Sequence, residues 1–176
     1  MKTWNWGILG QGVIASQMAD ALMKEHGGIY AVAGRHMDKV LAFAEKYTVQ
    51  HCYDIESLLQ DEAVDIVYIA TPHTYHYDYM MKALRHGKHV LCEKAITVNH
   101  KQLQEVMQLA QEKGLIVMEA MTIFHMPLYK KLKEIVASGA IGPVKTISVN
   151  FGSCKPYDVT SRFFCKDLAG GALLDI

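Results

Sequence analysis

Apolar positions along the chain switch repeatedly between two spacings up to about residue 120. Short continuous apolar runs have the look of buried strands, and the stretches between them repeat apolar residues every three or four positions, as amphipathic helices do. "WNWGIL" reads as a strand. Val13 to His26 follows as a helix, with Ile14, Met18, Ala21 and Leu22 on one face and Gly27-Gly28 as its stop. "IYAVAG" is a second strand, and Val40, Phe43, Ala44 and Tyr47 mark the next helix. "QHCY" is a short third strand before a short helix around Glu56 to Gln60, and "DIVYIA", rich in β-branched and aromatic residues, is a fourth. Thr71 and Pro72 are placed as the N-cap and first position of a helix running to Gly87. "HVLCE" is the fifth strand, Leu103, Val106, Met107 and Ala110 face one side of a helix ending at Gly114, and "LIVMEA" is the sixth strand.

Strands separated by helices predict a parallel sheet with crossovers on both faces. Ligands of such sheets sit beyond the carboxyl ends of the strands, near the topological switch point. Past residue 120 the pattern changes. Leu128, Leu132, Ile135 and Val136 predict one more helix, closed by "ASGAIGP". "VKTISVNF" is then expected to be a strand, although nothing nearby completes a sheet around it. Residues 1–120 are thus read as one α/β domain. Residues 121–176 are read as a connecting helix and the opening of a second domain, cut short at "GGALLDI".

Charge narrows the function. Lys plus Arg equals Asp plus Glu at 18 each, so a broad basic field for nucleic acid is not expected. No apolar run approaches the roughly 18 residues of a membrane span, and "MKTWNWGILG" lacks the pattern of a signal peptide. Cys52, Cys92, Cys154 and Cys165 are scattered without a C-x-x-C pair, which suits a reduced, cytoplasmic protein. His73 and His76 share a helical face, but Gly87 sets His86 and His89 on another element and no Cys or acid completes a set, so no metal site is expected.

The candidate chemistry begins at the first strand-to-helix turn, Gly10-Gln11-Gly12-Val13-Ile14-Ala15, a G-x-G-x-x-A pattern. The first Gly permits a tight turn, the second lets a pyrophosphate approach the backbone, and small Ala15 allows close helix–strand packing. The phosphates would meet the positive end of the helix. Because the pattern follows a strand and opens a helix, it predicts dinucleotide binding. An acid at the end of the second strand would hold a ribose 2′-hydroxyl; here "AVAGRHMDK" has none, and Arg35 stands in place. Arg35 favours NADP, with NAD as the alternative, because a guanidinium forks onto phosphate. Asp38 is assigned to the first turn of the following helix. After the fourth strand, Thr71, Pro72 and His73 are placed beside the nicotinamide ribose, and Ala70 and His76 are counted with them as cofactor-binding. Glu93 and Lys94 leave the fifth strand into the same region. A lysine there would stabilise a developing alkoxide, with Glu93 orienting it or bonding the cofactor. A surface ion pair capping the strand fits the spacing equally well.

Together, "GILGQGVIA", "ATPHTYH", "GKHVLCEKAITVN", "SGAIGPVK" and the terminal "GGALLDI" resemble the glucose–fructose oxidoreductase and inositol dehydrogenase family of NAD(P)-dependent sugar and diol dehydrogenases. "MEAM" at Met118–Met121 and "GGALLDI" are most similar to the branch containing dimeric dihydrodiol dehydrogenase and NADP-linked xylose dehydrogenase. The resemblance implies a Rossmann domain, a doubly wound parallel sheet, followed by an α+β domain with a large open antiparallel sheet. That second domain would carry substrate residues and a dimer or tetramer interface. The resemblance further implies that Lys94 is catalytic, and that Asp175 opens a motif whose closing His or Tyr, beyond Ile176, carries the proton. Catalysis is therefore expected of a longer parent, and dinucleotide binding of this polypeptide. The family commonly has Glu-Lys-Pro with a cis peptide bond, where this chain has Ala95. A cis bond before a residue other than proline costs about 2.5–4 kcal/mol. The Lys94–Ala95 bond is expected to be trans, or cis and held by its surroundings. The expected activity is hydride transfer between NADP and a hydroxyl or carbonyl of a sugar or cyclic diol. A dinucleotide-sensing regulatory or binding protein on the same fold is the alternative.

Overall fold

The computed structural model describes residues 3–150, 152, 154, 156–161 and 163–171. Strands β1 (Trp6–Leu9), β2 (Ala31–Ala33), β3 (His51–Tyr53), β4 (Ile66–Ile69), β5 (His89–Cys92) and β6 (Val117–Glu119) form one sheet in the order β3-β2-β1-β4-β5-β6. Every pairing is parallel, as the alternation of strand and helix signals requires. The order reverses between β1 and β4, which pair from Trp6 with Ile66 to Leu9 with Ile69. This is the doubly wound Rossmann arrangement, and the crevice above β1 and β4 is its natural ligand site.

Alternate residues of each strand serve opposite cores. Leu9, Ala31, Ala33, Val67, Ile69, Val90 and Cys92 point to the face covered by α3 (Ile55–Gln60), α4 (His76–Arg85) and α5 (His100–Lys113). Ile8, Val32 and Tyr68 point to the face covered by α1 (Val13–His26) and α2 (Met37–Tyr47). With both faces buried, the strands need continuous apolar runs, and that is what made them visible in the sequence. Helix α1 spans the predicted residues and stops at Gly27, whose φ is +75°. Asp54 and Asn99 cap α3 and α5 by accepting from the backbone N–H of Ser57 and Gln102.

Two expectations are corrected. Pro72 is extended (φ −59°, ψ 146°); a 3-10 turn occupies His73–Tyr75, and α4 begins only at His76. The second correction concerns residues 144–150, where no strand forms. Val144, Ile147 and Val149 have the β-branched character of a strand but face solvent, with Val149 82% exposed, and among the described residues no neighbouring strand supplies hydrogen bonds. The predicted helix after residue 120 is present as α6 (Pro127–Ala137), and it has no buried residue. Among the described residues no helix is long and apolar enough to cross a membrane.

Candidate functional site

A cleft of about 1160 Å³ opens at the carboxyl edge of the sheet. Apart from His76, every residue named as a cofactor contact lines it: Gly10, Gln11, Gly12, Val13, Ile14, Arg35, Ala70, Thr71, Pro72, His73, Glu93 and Lys94.

The turn after β1 forms the floor. Gly10 has φ +110°, and a Cβ there would stand 2.4 Å from the Ala70 carbonyl oxygen, so only glycine lets β1 and β4 exit side by side. Gly12 is different. Its backbone is ordinary extended chain (φ −79°, ψ −177°), yet a Cβ there would meet no protein atom within 4 Å. The space in front of Gly12 is open, and the first turn of α1 has no side-chain cap. Uncapped N–H groups at a helix N-terminus attract an anion by hydrogen bonding and by the helix dipole. The Gln11 amide instead turns toward β2, where its Nε2 donates to the Ala33 carbonyl at 2.7 Å and braces the turn against the end of that strand.

Arg35 leaves the end of β2 and crosses toward α4. Its Nη1 donates to the Tyr75 hydroxyl at 3.0 Å, and its guanidinium lies 4.5 Å from the centre of the Tyr75 ring. Tyr75 in turn stacks on Tyr79, with ring centres 6.0 Å apart and planes 21° apart. Lys39 adds a second cation to this end of the cleft, while Asp38 sits in the first turn of α2 and is not part of the lining.

Over β4, Thr71 has a buried hydroxyl oxygen with no hydrogen-bond partner among the described residues. His73 is buried in the cleft wall, its Nδ1 3.4 Å from the Ala169 carbonyl. His76, expected among the cofactor-binding residues, is not part of the cleft lining. It is fully buried, with Nδ1 2.8 Å from the Ala95 carbonyl and Nε2 2.9 Å from the Thr71 carbonyl. The helix starts later than the sequence suggested, and its first residue points into the core and ties the loops after β4 and β5 together. Burial pushes the His76 imidazole below its ordinary pKa, against the pull of the two carbonyls.

Glu93 and Lys94 reach the cleft from the end of β5. The Tyr68 hydroxyl, rising from β4, donates to Glu93 Oε1 at 2.5 Å, and the Lys94 backbone N–H donates to Oε2 at 3.3 Å. The Lys94–Ala95 peptide bond is cis, not trans. The segment after it is tied down on both sides, since the Ala95 carbonyl faces His76 and the Ile96 N–H donates to Glu119 Oε1 at 2.9 Å. Cys92 is buried behind this loop, and burial raises its thiol pKa well above the usual value, which leaves it inert.

Sequence reasoning missed part of the wall. Tyr75 and Tyr79 belong to it, and their four-residue spacing in "HTYHYDY" was an available signal. Lys39, Cys154, Phe163 and Phe164 also line the cleft, the last three from a stretch with no recognisable periodicity. Asp175 lies outside the described residues. Among the described residues, no group of three or more His, Cys, Asp or Glu side chains is arranged to hold a metal ion.

The chain is similar to known dehydrogenases and reductases. The chain is 34% identical to trans-1,2-dihydrobenzene-1,2-diol dehydrogenase of Xenopus laevis over 97% of its own length and 52% of that protein's. It is 36% identical to D-xylose 1-dehydrogenase (NADP(+)) of Hypocrea jecorina, covering 99% of this chain and 50% of the relative. The chain thus spans about half the length of the curated relatives it matches. Among solved structures, a 3-ketoreductase from Actinomadura kijaniata in complex with NADP superposes with a TM-score of 0.74 at 31% identity, covering 80% of this chain and 46% of that one. Residues 4–121, which hold the whole sheet and most of the cleft lining, match the family model described as an oxidoreductase family with an NAD-binding Rossmann fold, and the chain belongs to that Gfo/Idh/MocA family.

Proposed function

We propose that the chain is the cofactor-binding part of an NADP-dependent oxidoreductase that moves hydride between nicotinamide and a hydroxyl or carbonyl of a sugar or cyclic diol. The observation that carries this reading is one cleft in which an open, uncapped helix N-terminus at Gly12 lies between a cationic end at Arg35 and a Glu93–Lys94 end. The residues fit the cofactor. Gly12 leaves room for a diphosphate, Arg35 and Lys39 suit a 2′-phosphate, and the unpartnered Thr71 hydroxyl is available to a polar group of the ligand. When bound, NADP(H) supplies or accepts the hydride. Lys94 places an ammonium where negative charge develops on the reacting oxygen and lowers the barrier to moving its proton. Tyr68 holds Glu93 at the same strand end, so the carboxylate meets the ligand from a fixed position. Phe163 and Phe164 add apolar surface to the cleft lining.

The curated relatives support the same substrate class, since one is named for a cyclic diol and another for a sugar and NADP(+). We extend the reading to a cytoplasmic homo-oligomer, dimer or tetramer, in the full-length protein, with Asp175 helping to orient the acid/base group. Fluorescence titration of the chain with NADPH and NADH, repeated with Arg35→Ala, tests the cofactor assignment. Tighter binding of NADPH that is lost in the variant supports it. Preference for NADH, or no effect of the substitution, contradicts it. Lys94→Ala should lower hydride transfer to sugars or diols by about 10²–10⁴ in a protein carrying this chain.

A further inference from the structure

We infer that Tyr75 is a specificity-determining residue for the cofactor: it holds the Arg35 guanidinium over the cleft in position for a 2′-phosphate. The inference rests on the NADP reading above and adds a residue to it.

Arg35 is exposed at the end of a strand, where a long side chain with four rotatable bonds would otherwise sample many rotamers. Two contacts to one residue restrain it. The Tyr75 hydroxyl accepts from Nη1 at 3.0 Å, and the ring lies beneath the guanidinium at 4.5 Å. A guanidinium carries five N–H donors, so a bond from Nη1 leaves most of the fork for phosphate oxygens. The platform is itself braced, because Tyr75 stacks on Tyr79 one helical turn further along α4. Tyr79 is part-buried, and burial raises its phenol pKa, so it stays neutral beside the cation. Arg35, Tyr75 and Tyr79 all line the cleft, at the end where β2 carries no acid to hold a 2′-hydroxyl.

Fixing the guanidinium before binding removes an entropy cost that only a ligand using it would otherwise bear. NADPH has the 2′-phosphate and NADH does not. Tyr75 should therefore raise affinity for NADPH and leave NADH unchanged. A tyrosine serving only to pack α4 would affect both alike.

The test is fluorescence titration of the whole chain with NADPH and NADH for wild type, Tyr75→Phe, Tyr75→Ala, Arg35→Ala and the Tyr75→Ala/Arg35→Ala double variant. Tyr75→Ala should weaken NADPH by roughly three- to tenfold, the size expected from one hydrogen bond and one exposed cation–π contact, with NADH within twofold. Tyr75→Phe keeps the ring and should recover part of the loss. The double variant should bind NADPH no more weakly than Arg35→Ala alone, because Tyr75 acts through Arg35. An unchanged ratio of NADPH to NADH affinity in Tyr75→Ala overturns the inference, as does tighter NADPH binding, which would mean that Tyr75 sequesters the arginine. Failure of the wild type to prefer NADPH would instead overturn the cofactor assignment, so the two failures are distinct. Circular dichroism melts of each variant identify any that do not fold; in that event Tyr75→Phe, which keeps the packing, decides by its NADPH to NADH ratio.

Discussion

The Tyr68 hydroxyl and the Glu93 carboxylate meet at 2.5 Å, joining the end of β4 to the end of β5 at the edge of the cleft. Tyr68 is a core residue on the α1 and α2 face of the sheet, and its hydroxyl emerges beside a carboxylate that the sequence offered as a partner of Lys94 or of the cofactor, with no sign of the tyrosine. Burial and the bond to Glu93 raise the Tyr68 phenol pKa well above its ordinary value near 10. Tyr68→Phe should cost about 1–2 kcal/mol near neutral pH, read from urea unfolding. Above pH ~10 the unfolded tyrosine loses its proton while the folded one keeps it, so wild-type stability should fall as pH rises through that value. Tyr68→Phe should flatten that slope; an unchanged slope would show that the bond contributes nothing.

His76 predicts sensitivity at the other end of the scale. Burial lowers its pKa, the Thr71 and Ala95 carbonyls raise it, His73 lowers it and Glu93 raises it, with burial dominant. A folded His76 that resists protonation binds fewer protons than the unfolded chain below pH ~6.5, so stability should fall as pH drops through that value. His76→Gln should reduce that dependence. His76→Leu should cost on the order of 2 kcal/mol at neutral pH by stranding the carbonyl that accepts the single N–H of the neutral ring. Denaturant midpoints measured from pH 5 to 8 on the three proteins decide the matter, and parallel curves would refute the assignment.

Gly10→Ala should damage the fold itself. The new methyl would collide with the Ala70 carbonyl at a backbone angle that side chains rarely adopt. A loss of at least about 2 kcal/mol is expected, visible as a large drop in melting temperature with or without ligand. A melt within a degree of wild type would mean that the turn after β1 is looser than the geometry here.

The doubly wound sheet was legible because both of its faces are buried, and a strand such as Ile66–Ile69 then carries an apolar signal on every residue. Gly10 and Gly12 were legible with separate roles, a tight turn and room for a pyrophosphate; what the sequence did not contain is that the Ala70 carbonyl is the group confining Gly10. Tyr75 was not read at all, because its contact with Arg35 joins residues 40 apart and leaves no local pattern. The inward turn of His76 was not legible for a related reason. The 3-10 turn at His73–Tyr75 delays the helix and rotates its first residue inward, a detail that spacing counted from Pro72 does not contain. Val144, Ile147 and Val149 carried strand character without a partner, and propensity alone does not form a strand.

The central claim is that the dinucleotide diphosphate lies against Gly12, and Gly12→Val tests it most directly. The backbone at Gly12 is ordinary extended chain and a Cβ there meets none of the described residues within 4 Å, so the variant should fold and melt within a few degrees of wild type. Its side chain would fill the space in front of the first turn of α1. The account predicts that NADPH titration of this folded variant shows at least about a tenfold loss of affinity, which is ~1.4 kcal/mol. Wild-type affinity for NADPH in a folded Gly12→Val protein would contradict it.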